Sequence, residues 1–126
     1  MQTAHKSLRR IVVKIGSSLF YDDARKLDLA LFDSLCSQVC ELAQDGRQVA
    51  VVSSGAIALG MSILGLDSRP RELSRLQAAA AAGQNELMKL YGEAFKKRGV
   101  SCGQVLLSWE DFSSRKRYLN AAHTLD

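Results

Sequence analysis

An α/β fold with parallel strands is what this sequence predicts, and three observations predict it. Two short β-branched runs, Ile11–Ile15 and Gln48–Val52, flank a stretch in which apolar residues recur at helical spacing. Each run breaks into small polar residues, Gly16-Ser17-Ser18 after the first and Ser53-Ser54-Gly55-Ala56 after the second. Strand, helix and strand fit within about 40 residues, the size of a βαβ unit, whose crossover is right-handed and whose strands are parallel.

Each element has its own signature. The first strand, with β-branched residues at four of its five positions, reads as buried and covered on both faces. Residues 21–26 are polar and read as a connection. Asp28 offers an N-cap, and Leu29, Phe32, Leu35, Cys36, Val39, Leu42 and Ala43 form the apolar stripe of a helix that Gly46 ends. The second strand leads into an apolar helix from Ala56 to Leu64, and Gly65–Glu72, with the only proline, is a loop. Ser74 and Gln77 match a capping box opening a long helix that runs to Phe95. Gly83 interrupts its alanine-rich stretch, which suits close approach to another backbone. Lys96-Lys97-Arg98 favours the dipole at its end, and Gly99 stops it. Val100–Leu107 reads as a third strand, Ser108–Phe112 as a loop or helix start, and Ser114–Leu125 as a last helix.

Composition bounds the class. The chain has 126 residues, 47% hydrophobic and 24% charged, which suits one globular domain. A net charge of +4 is mild and identifies no nucleic-acid partner. No apolar run approaches the roughly 20 residues of a membrane span, and the polar first ten residues do not form a secretory signal. Three cysteines, Cys36, Cys40 and Cys102, with His5 and His123 far apart, suggest neither a zinc site nor a disulfide framework. Cys36 and Cys40 read as small buried hydrophobes. The expectation is a reducing, cytoplasmic protein.

The chemistry concentrates where the strands end. In a parallel sheet, the loops at the carboxyl ends of the strands share one edge, where α/β proteins bind ligands. Gly16 and Ser17 can turn N–H groups toward an anion, and Lys14 can supply a point charge for a phosphate. Taken alone, a strand whose lysine snorkels to solvent is the simpler reading of the first stretch. Ser53-Ser54-Gly55 reads equally as helix capping or as a ligand loop. Neither GxxxxGK[ST] nor GxGxxG occurs.

Five segments together resemble the glutamate 5-kinases of the amino acid kinase family. They are Val12-Val13-Lys14-Ile15-Gly16-Ser17-Ser18, Val52 to Gly60, Ala81-Ala82-Gly83-Gln84, Gly103-Gln104-Val105-Leu106-Leu107 and Arg117-Tyr118-Leu119-Asn120-Ala121. The first is shared across the wider family, and its combination with Ser-Gly-Ala-Ile-Ala and Arg-Tyr-Leu-Asn-Ala is far more specific. The resemblance implies a three-layer α/β/α sandwich with a mainly parallel sheet. It implies ATP-dependent phosphorylation of the γ-carboxylate of L-glutamate, the first step of proline biosynthesis. By position, Lys14 matches the lysine that contacts the ATP phosphates and stabilises the transferring group. Gly16 and Ser17 match the loop lining the phosphate path, and Ser54, Gly55 and Ala56 match the segment that binds glutamate.

The resemblance also implies what these 126 residues lack: a further strand, an Asn-Glu-Asn-Asp substrate loop, the nucleotide-base site and a second lysine. Residues 1–126 are thus expected to form the N-terminal, amino-acid-substrate side of a single kinase domain, incomplete at its C-terminus. Alone, the chain is expected to have a short sheet, no competent ATP site and no activity. Mg²⁺ is implied with ATP, but Asp22, Asp23, Glu110 and Asp111 read as loop and cap residues, so no metal ligand is assigned. Proline as feedback inhibitor and a homo-oligomer at full length are further expectations; nucleic acid and membrane are not expected partners. A non-catalytic amino-acid-binding or subunit-pairing fragment, or an acetylglutamate or aspartate kinase, is the alternative.

Overall fold

The computed structural model describes residues 8–17 and 27–126. The expected connection at 21–26, Ser18, Asp22, Asp23 and His5 lie outside them. Two strands, β1 (Arg10–Ile15) and β2 (Gln48–Ser53), pair in parallel with Lys14 opposite Val52 and Ile15 opposite Ser53. Between them runs α1 (Leu29–Gln44), as the alternation of patterns predicts. The Asp28 carboxylate accepts the Leu31 N–H at 2.9 Å, and Gly46 takes φ +81° after the last turn, so both ends of α1 follow the sequence signals.

Three helices form the packed side: α1, α2 (Ala56–Ile63) and α3 (Leu73–Lys96). Phe32, Cys36, Val39 and Cys40 of α1 meet Leu87, Tyr91, Ala94 and Phe95 of α3 in one apolar cluster with Ile15 and Leu59. Val13, Val49 and Val51 pack against this cluster from the sheet. Arg98, just past α3, forms a bidentate pair with Asp33 of α1, at 3.1 and 2.6 Å. It is therefore a cross-helix tie as well as a basic group near its own helix end, where it also donates to the Ala94 carbonyl at 2.9 Å.

Glycine fixes how α2 meets α3. A Cβ at Gly60 would overlap the Ala79 carbonyl, and one at Gly83 would overlap the Ala56 carbonyl. Each helix therefore presses its backbone against the other, as the Gly83 interruption predicts.

Three expectations are corrected. β1 is covered on one face only: Ile15 is buried, whereas Val12 is 69% exposed, Val52 53%, and Lys14 is exposed. The ammonium of Lys14 consequently escapes the cost of burial, because side chains alternate across a strand and its face is open. Val100–Leu107 forms no strand among the described residues, and Val105, Leu106 and Leu107 are exposed. A β-branched and leucine-rich run becomes a strand only when a ladder receives it, and the sheet here has two members. Ser74 is not an N-cap, since α3 starts at Leu73 with Glu72 in the cap position. The reciprocal bonding expected there occurs instead at α4 (Trp109–Ser113), where the Asp111 carboxylate accepts both the N–H and the hydroxyl of Ser108. Cys36 and Cys40 are buried, as their positions on the helix suggest, and Cys102 is exposed.

The final helix α5 (Arg115–Leu125) has no buried residue, and neither has α4. Arg117 reaches back to Glu110 at 3.0 Å, so Glu110 and Asp111 serve as ion-pair and cap groups. No helix among the described residues is long and apolar enough to cross a membrane.

Candidate functional site: the carboxyl edge of the parallel pair

The two strands end side by side, and their loops meet. The Ser17 N–H donates to the Ser54 Oγ at 2.9 Å, and the Ser54 N–H donates to the Ile15 carbonyl at 3.2 Å. Parallel register forces this meeting, because Ile15 and Ser53 are partners and each chain leaves the sheet one residue later. Gly55 then takes φ +124°, a region that side-chain-bearing residues rarely adopt, and turns the backbone directly into α2.

Beside this junction lies an open cleft of about 450 Å³, lined by Ser17, Ser53, Ser54, Gly55, Ala56, Ile57, Ala58, Arg69 and Ala80. The first turn of α2 forms part of its wall, and no side chain among the described residues caps that turn. The positive end of a helix dipole favours a negatively charged group. Among the described residues Arg69 is the only charged side chain in the lining, and it has no ion pair there. The arrangement suits an anion that also offers acceptors to hydroxyls.

Of the residues singled out in the sequence, Ser17, Ser54, Gly55 and Ala56 line the cleft together. Gly16 is half-buried beside Ser17 but outside the lining. Lys14 stands apart from the cleft, on the uncovered face of β1. Sequence reasoning missed Arg69 in the lining and Tyr91 behind it. Arg69 sits in a loop whose approach to the cleft depends on how α2 and α3 cross. Ser53 bonds to Tyr91, whose hydroxyl donates to the Ser53 Oγ at 2.8 Å across 38 residues of chain. Only the Arg-Pro pair in the loop before α3 hinted at Arg69, and no sequence signal marked Tyr91.

The carboxyl edge of parallel strands, where these two loops meet, is where open α/β sheets bind ligands. The amino acid kinase family matches residues 9–126, and this chain belongs to that family. It is 47% identical over 121 residues to the glutamate 5-kinase of Pelobacter propionicus, covering 96% of this chain and 32% of that protein. To the glutamate 5-kinase of Methylibium petroleiphilum it is 47% identical over 125 residues, covering 99% of this chain and 34% of that one. To that of Variovorax paradoxus it is 49% identical over 123 residues, 98% and 32% respectively. The chain thus spans about a third of the length of these relatives.

Proposed function

We propose that residues 1–126 form the amino-acid-substrate side of a single kinase domain that transfers the γ-phosphoryl group of ATP to the γ-carboxylate of L-glutamate. The observation that carries the reading is the Ser17–Ser54 hydrogen bond, which ties the phosphate-side loop to the substrate-side loop at one sheet edge. Similarity to the glutamate 5-kinases supports the choice of glutamate.

Phosphoryl transfer asks a protein chiefly to align two anions and neutralise charge between them. The substrate carboxylate is already a nucleophile, so no general base is needed. Ser54, Gly55 and Ala56 hold glutamate by hydroxyl and backbone donors, and Arg69 offers positive charge to its carboxylates. Gly16 and Ser17 line the path of the phosphoryl group, and Lys14 supplies the cation for the ATP phosphates. Replacing Lys14 by alanine is expected to cost about 3 kcal/mol of transition-state stabilisation, the order found for one oxyanion donor. Mg²⁺ accompanies ATP by way of the phosphates and of residues other than the cleft lining. Cytoplasmic location, feedback by proline and assembly into a homo-oligomer belong to the same proposal.

Hydroxylamine trapping of the acyl phosphate tests it, in the 126-residue chain and in the full-length gene product. Hydroxamate formed from L-glutamate, in preference to acetylglutamate or aspartate, is the expected result for the full-length protein. Hydroxamate from either competitor instead assigns a different amino acid kinase. Glutamate binding without turnover in both proteins makes the chain a non-catalytic amino-acid-binding module.

A further inference from the structure

Tyr91 is placed where a phenylalanine would pack equally well. Its ring lies between Phe32 and Phe95, at centroid distances of 4.9 and 5.7 Å, and the residue is 5% exposed. A buried phenol requires a hydrogen-bond partner, and this one finds it at the end of β2 rather than on a neighbouring helix. The polarity of the connection is fixed. The Tyr91 O–H donates to the Ser53 Oγ at 2.8 Å, and the Ser53 hydroxyl passes its own proton to the Ser54 carbonyl at 3.3 Å. On the far side, the Ser54 Oγ accepts the Ser17 N–H, which leaves the Ser54 hydroxyl proton free to be given to a ligand in the cleft. Burial pushes the Tyr91 phenol above its ordinary pKa, against the pull of the Ser53 bond, so it remains a donor at neutral pH.

We infer that Tyr91 is a positioning residue for the substrate loop: through Ser53 it holds the Ser54 backbone, so that the Ser54 hydroxyl donates to a carboxylate oxygen of the bound amino acid. This rests on the reading of the cleft as the glutamate site. The relay runs from the apolar core to the cleft without touching the phosphate-side lysine. Its loss should therefore be felt more by the amino acid than by ATP, whose side it meets only through the Ser17 N–H.

The test is Tyr91→Phe in the full-length protein, which removes one oxygen and keeps the ring. The KM for L-glutamate is expected to rise about fivefold, the scale of one neutral hydrogen bond, with kcat and the KM for ATP within about twofold. Ser53→Ala, which leaves the core intact, is expected to give a similar rise. The double variant should be no worse than the poorer single one, since both changes cut the same chain of bonds. An equal rise in the KM for ATP, an unchanged KM for glutamate in both variants, or fully additive effects would overturn the inference. Amide hydrogen exchange supplies a readout that needs no activity: the Ser17 N–H, which reports the position of Ser54 Oγ, should exchange at least about threefold faster in both variants. Unaltered Ser17 exchange overturns the role of Tyr91. Absence of glutamate kinase activity in the unmodified protein overturns the functional reading instead.

Discussion

Residues 27–100 and residues 101–126 both carry apolar side chains in regular patterns, yet only the first stretch buries them. Phe32, Leu87 and Phe95 are at most 6% exposed, whereas Leu106 is 72% exposed, Phe112 58% and Trp109 90%. The difference is not one of residue type. In the first stretch, two helices and a sheet face present complementary apolar stripes to one another, with an ion pair and a glycine crossing to hold them in register. In the second, α4 and α5 touch each other and bury nothing. An apolar pattern states what an element can bury, and only a partner makes it do so.

Four measurements break or sharpen this contrast, in decreasing order of effect. Phe32→Ala removes a ring from the centre of the cluster and is expected to lower stability by about 4 kcal/mol in urea unfolding. A loss below about 1 kcal/mol would mean that the α1–α3 contact is loose in solution. Gly83→Ala forces a methyl group toward the Ala56 carbonyl and should cost about 2 to 3 kcal/mol, with Ser54 and Gly55 amide signals shifting as α2 is displaced. Tolerance of that alanine would disprove the close crossing.

The third concerns acid. The Arg98 guanidinium bonded to Asp33 holds its carboxyl below the usual carboxylate range. A depressed folded-state value contributes stability above the unfolded value, and that contribution is lost as pH falls through the folded one. Asp33→Asn should therefore lower Tm at about pH 7, and the gap from the unmodified protein should close in acid, as pH falls through the lowered value of Asp33. A gap that persists in acid would mean the pair acts by packing and not by charge. The smallest effect is expected at Trp109→Ala, within about 0.5 kcal/mol, as for an exposed surface site. A loss above about 1 kcal/mol would show that residues 101–126 are covered in solution.

What the sequence disclosed follows the same division. Asp28, Gly46 and the stripe from Phe32 to Val39 act within a few residues of chain, so periodicity and cap chemistry suffice to find them. The meeting of the two strand-end loops was also legible, because parallel pairing places carboxyl ends together. The third strand was not, since Val105-Leu106-Leu107 has the composition of a strand but pairing is settled elsewhere in the molecule. Ser74 has the right residue three places downstream, but the helix already begins at Leu73. The single-face cover of β1 escaped for a related reason: Val12 and Val13 are chemically alike, and nothing local says which side receives helices. Arg69 reaches the cleft, and Tyr91 reaches Ser53 in its wall, through contacts between distant segments, which a linear pattern does not encode.

The glycine crossing of α2 and α3 also has a consequence for how this chain can vary. Gly60 faces Ala79 and Gly83 faces Ala56, so each small residue is answered by main chain on the other helix. Enlarging either glycine is a forbidden step whatever the opposite helix carries, because a carbonyl cannot be made smaller in exchange. Compensating pairs of substitutions, the usual escape for a crowded core, do not exist at these two positions. Sequence drift can reshape the helix surfaces freely while this contact, and the placement of Ser54 to Ala58 that depends on it, stays fixed.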